Sequence, residues 1–325
     1  ISGSGSSNYG VEQGSGAMAA FGSITIQGTA SNYRGTFLGG TGAIKSVGNL
    51  SITAASTSGD WWAGRIEGNK LIQSTTGNIS MTSSGQAGWY VYGRVVAGND
   101  TSNPTAGGTI TVNSAGTSSY GLQLNSSSLL AHGAINITAT NTSSNHVFRH
   151  EGATGSIKSN GNITIQAGNL TGNTGTWGLV VDSGASIQST AGNIAITARG
   201  SVGGFNVVSS ATSIVAGNHL TAPTSGGNIT LNATGGSSYG TEIDAGSLVA
   251  NGSITFTSTG GFSGTYLTGT GLFKANGDIT INSSSTSSTS WGWYQDSSRV
   301  VQSTAGNLSL TGNGGYGIYI NGGGL

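Results

Sequence analysis

The chain has 325 residues, 60 of them glycine, and only 6% are charged, with ten basic residues balancing ten acidic ones. That neutrality excludes nucleic acid and anionic lipid as main partners, since both demand a basic face. Cysteine is absent, which removes disulfides and thiolate metal sites. No apolar run approaches the ~20 residues that span a bilayer, so no membrane insertion is expected. Hydrophobic residues make up 34% of the chain and recur at fixed spacings, unlike those of a disordered tract.

Self-similarity organises everything else. Residues 1–21 read as the tail of a repeat, because "SSNYG" at residues 6–10 reappears as "GSSYG" at 236–240. From there a Gly-x-apolar-x-apolar-polar pattern occurs eleven times, at Gly22, Gly48, Gly77, Gly108, Gly133, Gly161, Gly192, Gly227, Gly252, Gly277 and Gly306. The spacings run from 25 to 35 residues and themselves repeat every fourth unit, so super-repeats begin near 22, 133 and 252. Other marks keep the same period. "STTGNISMT" at 74–82 returns as "STAGNIAIT" at 189–197 and "STAGNLSLT" at 303–311. The only two prolines, Pro104 and Pro223, each stand four residues before an anchor glycine, and Lys45, Lys158 and Lys274 stand three before one.

Each unit predicts three short strands. The first is strict alternation after the glycine, with Ile163 and Ile165 on one side and Thr164 and Gln166 on the other. The second is expected to start at an aromatic, in the series Tyr33, Trp61, Trp89, Tyr120, Phe148, Trp177, Phe205, Tyr239, Tyr266, Trp291 and Tyr316. The third is a short piece such as "AIKS", "LIQS" or "SIQS". Three such strands cannot bury a core alone, but stacked units bury a continuous apolar column. The expected fold is all-β, a parallel β-helix with three short strands per coil and about 11–12 coils of 25–35 residues. It spans 1–325 without a domain boundary and is expected to be a piece of a longer array. Residues 97–107 and 216–226 are expected to project as surface loops, four coils apart. The asparagines after the anchor glycines are expected to stack or cap the turns.

The "GNITI", "GNLSL" and "STAGNIAIT" phrases resemble the repeat shafts of bacterial large exoproteins similar to filamentous haemagglutinin, which are two-partner-secretion adhesins with autotransporter passengers as structural relatives. The resemblance covers nearly the whole chain. It implies a right-handed parallel β-helix, passage through an outer-membrane transporter, and a cell-surface or extracellular location with a role in attachment, aggregation or biofilm. The amino-terminal secretion module of that family has no counterpart in these residues, and the coils are longer than the family's shortest repeats.

Chemistry is sparse. Polysaccharide lyases and hydrolases also use parallel β-helices and need converging carboxylates. The nearest grouping is His150 and Glu151 with Asp182 on the next coil, and solvated surface residues are the plainer reading. No catalytic residue, cofactor or metal site is expected: the β-roll calcium motif "GGxGxDx" does not occur, and His132, His146, His150 and His219 lack ligand spacing. A Thr/Ser column from Thr25 to Ser309 resembles the flat ladder of ice-binding solenoids, but Asn136 and Ala195 interrupt it. In each of the groups Trp61-Trp62, Trp89-Tyr90 and Trp291 with Trp293-Tyr294, one ring must point inward and its neighbour outward. The outward candidates for glycan contact are Trp62, Tyr90 and Trp293.

The leading expectation is a structural shaft segment. Its partners would be other copies of the chain, host or abiotic surfaces, and glycans. A carbohydrate-binding module is the alternative. Low charge predicts weak dependence on pH and salt.

Overall fold

The structure, a computed structural model, describes residues 1–6, 8–57, 62–168, 176–296 and 299–322. Among these residues there is no helix. Strands stack in parallel, coil on coil, along three faces, and the molecule is a parallel β-helix. The first face holds twelve strands in chain order, from Ser2–Gly5 to Leu308–Asn313. At the ~4.8 Å strand spacing this stack is roughly 55 Å long.

The alternation after each anchor glycine builds the first face. Ile24 pairs with Leu50, then Ile79, Ile110, Ile135, Ile163, Ile194, Ile229, Ile254, Ile279 and Leu308, one residue per coil. Most of this ladder is fully buried, as is the next one through Ile52, Met81, Val112 and Ile137. Burying each of these side chains contributes about 1.5–3 kcal/mol. Most strands here run seven residues and not the four that the alternation marked. The extra inward position holds Ala, Ser or Gly, because the chain turns a corner there. Ser114 at this position accepts a bond from the Trp89 N–H at 2.8 Å and donates to the Gly121 carbonyl at 2.5 Å.

The third face is the short piece seen in sequence. Ile44, Ile72, Val95, Leu129, Ile157, Ile187, Ile214, Leu248, Phe273 and Val301 share one inward column. One apolar cluster joins the faces from Val11 to Val301. Two strands, Trp62–Ser74 and Ala87–Ala97, run unbroken through the corner between the second and third faces.

The repeated "STAGN" phrase is a turn that locks onto the coil before it. Ser189 Oγ donates to the Gly161 carbonyl at 2.7 Å and accepts from the Gly192 N–H at 3.0 Å. The asparagine after the glycine continues the lock as an acceptor. The Asn193 N–H donates to Asn162 Oδ1, and the Asn228 N–H to Asn193 Oδ1, both at 2.8 Å. Asp278 holds the equivalent place and accepts from the Asn307 N–H at 2.7 Å. Asn193→Ala is therefore expected to cost about 0.5–1.5 kcal/mol in a urea titration. Asn193→Asp, which keeps the acceptor, should stay within about 0.5 kcal/mol of the parent.

The two inserted loops lie on the surface but do not project from it. Pro104 and Pro223 are buried. The Pro104 carbonyl accepts from Asn160 Nδ2 and the Pro223 carbonyl from Asn276 Nδ2, each at 3.1 Å. Lys158 Nζ reaches Asn103 Oδ1, and Lys274 Nζ the Thr221 carbonyl, both at 3.3 Å. The recurring lysines and prolines thus belong to one device, which folds each loop back along the rod onto a coil two further on.

Candidate binding face

The second face carries the chemistry. Its strands run from Val11–Gln13 to Ile318–Asn321. The inward column reads Thr36, Gly64, Trp89, Leu122, Phe148, Leu179, Phe205, Thr241, Thr265 and Trp293. Large and small residues alternate where they must: a Cβ on Gly64 would sit 2.3 Å from the Trp89 ring. One residue on, the outward column reads Phe37, Arg65, Tyr90, Gln123, Arg149, Val180, Asn206, Glu242, Tyr266, Tyr294 and Tyr319.

Two of the three expected glycan-contacting rings face outward. Trp62 and Tyr90 are partly exposed and lie 5.5 Å apart, with the Arg65 guanidinium 5.1 Å over Tyr90. The third expectation fails. Trp293 is 0% exposed and belongs to the core, while its neighbour Tyr294 takes the outer surface. Its rung neighbour on the preceding coil is the small Thr265, which leaves inward room for the indole. Trp61 lies outside the described residues.

The aromatic series is not one column. Trp89, Phe148 and Phe205 point inward. Tyr120, Trp177, Tyr239, Trp291 and Tyr316 stand two residues before the inward position, and Tyr266 stands one after it. Together with Tyr9 and Trp62, the position two residues before the core is aromatic on every second coil as far as Trp291, Tyr alternating with Trp (Tyr9, Trp62, Tyr120, Trp177, Tyr239, Trp291), and Tyr316 follows on the very next coil. Several of these rings pack on the outward aromatic of the following coil. Tyr9 stacks on Phe37 at 5.1 Å, Tyr239 on Tyr266 at 4.8 Å, and Trp291 meets Tyr319 at 5.4 Å. Tyr266, Tyr294 and Tyr319 continue as a stack with 4.9 Å steps.

Most of the carboxylates share this face. Among the described residues, Glu12, Glu67, Glu151, Asp182, Glu242, Asp244 and Asp296 lie on or just beyond its strands. The trio of His150, Glu151 and Asp182 does not converge. His150 points into the core, where its Nε2 is 3.1 Å from the Ser186 carbonyl and burial pulls its pKa down to about 4. Glu151 and Asp182 point outward, and both face Arg149, at 2.8 and 3.8 Å. Adjacent residues of a strand take opposite sides, so the histidine and Glu151 cannot share a site.

A different pair is more perturbed. Glu242 and Asp244 stand two residues apart on the same side of one strand, and both are partly buried. Burial, and after it the neighbouring Asp244 charge, push Glu242 up to about 7. Burial raises Asp244 too, opposed by a hydrogen bond from Thr268 and by the Arg299 charge. Glu242 Oε2 accepts from Asn206 Nδ2 at 3.1 Å. Glu242 is a local exception to the expected pH insensitivity. The folded chain keeps its proton up to about pH 7, whereas the unfolded chain releases it near ~4.3. Between those limits the folded state binds more protons, so stability falls as pH rises. Discounted for partial exposure, the loss is about 1 kcal/mol. His150, pulled down to about 4 by burial against ~6.5 in the unfolded chain, adds an opposite rise up to about pH 6.5. The Glu242 effect is therefore read as a difference: in melting curves from pH 4.5 to 8, Glu242→Gln should gain on the parent as pH rises. Parallel curves would exclude the assignment.

Among the described residues, no group of three His, Asp or Glu side chains is placed to hold a metal ion. The Thr/Ser column on the first face keeps one register, with Asn136 and Ala195 in it as expected. No family model, curated protein or solved structure matches this chain.

Proposed function

We propose that this chain is a structural shaft segment of a secreted bacterial surface adhesin or extracellular filament, acting in attachment, aggregation or biofilm. The observation that carries the reading is one apolar column from Val11 to Val301, in which each ladder of the first face takes one inward residue from every coil. Among the described residues that column runs unbroken, so the stack transmits length. Its mechanism is mechanical. Backbone bonds between coils and buried ladders make a stiff rod that holds a binding tip, or other copies of the chain, away from the cell. The Gly-, Ser- and Asn-rich corners suit an exported chain, since they fold coil by coil onto an existing template.

Electron microscopy of the chain in its native setting tests the proposal. Fibres or surface projections that shorten by about 19 Å on in-register deletion of residues 133–251 are expected, since one super-repeat spans four strand spacings. Isolated compact particles, or a deletion that leaves the projection length unchanged, would sink it.

A further inference from the structure

The aromatic column two residues before the core leaves a gap on every second coil, and the gaps are not alike. Above Trp62 the gap at Ala87 is closed, because Trp62 and Tyr120 stack across it at 5.8 Å and 13°. The gap at Gly203 is covered by the Trp177 ring, which a Cβ there would meet at 2.2 Å. The gap at Ser263, between Tyr239 on the preceding coil and Trp291 on the following one, stays open. It forms a cavity of about 320 Å³, which is within the range of small-ligand sites.

Its lining is specific. Tyr239, Tyr266, Tyr294 and Trp291 supply aromatic surface, and Phe262, 51% exposed, forms an apolar lip. Ser263, Thr289 and Ser290 supply hydroxyls. Two polar atoms of lining residues are buried without a hydrogen-bond partner, Ser290 Oγ and the Trp291 indole Nε1. Ser290 itself is only 2% exposed. An unmet buried donor costs about 1–3 kcal/mol, and a ligand oxygen would satisfy it. No lysine or arginine lines the cavity, and the carboxylate of Glu242 lies one strand from Tyr266.

We propose that this slot binds a neutral hexopyranose unit of a polysaccharide. A pyranose presents apolar C–H faces, which suit the electron-rich faces of aromatic rings, and a rim of hydroxyls, which suits Ser290 Oγ and the indole N–H. The missing cation disfavours uronic and sialic acids. The site goes beyond the shaft reading and does not depend on it: a rod can carry the slot on its flank, and the slot can bind sugar whether or not the rod is a shaft.

The test is titration of the 325-residue chain, followed by tryptophan fluorescence and calorimetry. The probes are β-1,4-, β-1,3- and α-1,4-linked glucose hexamers, with an oligogalacturonate and a chitosan oligomer as contrasts. At least one neutral hexamer is expected to bind with a Kd below about 1 mM. Trp291→Ala and Ser263→Trp, the second filling the slot, should each weaken it tenfold or more, with far-UV circular dichroism unchanged. Tyr92→Ala, an exposed ring elsewhere on the face, should leave it unaltered. The proposal is overturned if no neutral hexamer binds by 10 mM, if only the charged oligomers bind, or if a folded Ser263→Trp chain binds as well as the parent. Should Trp291→Ala fail to fold, the parent and Ser263→Trp titrations still decide.

Discussion

Phe205→Ala is expected to destabilise the rod by about 3–5 kcal/mol, the usual cost of deleting a buried phenyl ring. Phe205 is fully buried, and its rung neighbours are Leu179 on one side and Thr241 on the other. Neither can move into the space, because each is held in register by its own strand. The damage also falls on both coil interfaces, and a solenoid has only nearest neighbours to share it with. A guanidinium titration followed by tryptophan fluorescence should show a lower midpoint. A smaller m-value would add that the two halves of the rod had begun to unfold separately. Val208→Ala, at a 39% exposed position on the same face, should change stability by no more than about 0.5 kcal/mol. Equal effects at the two positions would contradict the assignment of Phe205 to the core ladder.

Arg299→Met is expected to cost about 3 kcal/mol. Arg299 is 1% exposed, and its guanidinium donates to the carbonyls of Gly246 and Thr268, both at 3.0 Å. It also reaches the Thr270 carbonyl at 3.5 Å. Those carbonyls belong to turns of the two preceding coils, where Gly246 and Gly269 take positive φ. One side chain therefore staples three successive coils at a corner that has little apolar surface of its own. Hydrogen bonds from a charged donor contribute about 1.5–3 kcal/mol each, and buried carbonyls left unmet are costly. Methionine keeps the apolar stem and removes only the donors. Arg299→Lys should recover about half the loss, since an ammonium cannot span the fork. Thermal melts of the three chains order them: parent, then lysine, then methionine. A methionine variant as stable as the parent would remove the staple from the account. Lys70 plays the same part near the other end, with its Nζ on the carbonyls of Gly14 and Gly16 at 2.8 and 3.2 Å. Burial lowers its pKa.

The sequence by itself determined the coil period, the three strands per coil, and the inward residues of the first face. The reason is parity. Ile163 stands two residues after its anchor glycine, and every equivalent residue does the same, so side-chain direction follows from counting. The asparagine acceptors were legible for the same reason, since they sit one residue from the anchor. The second face was not legible in this way. The distance from anchor to the first inward residue ranges from 12 residues, Gly77 to Trp89, to 18, Gly161 to Leu179. Both odd and even offsets occur, so no count assigns a side to an aromatic there. That is why Trp293 was expected outside and lies inside. Only the tertiary structure decided that Tyr239 and Trp291 flank an open slot while Trp62 and Tyr120 close theirs, because the difference lies in how rings two coils apart lean. It also decided that Lys70 and Arg299 are buried. A cation beside a short strand reads as a surface residue until the coil beneath it supplies carbonyls to receive it.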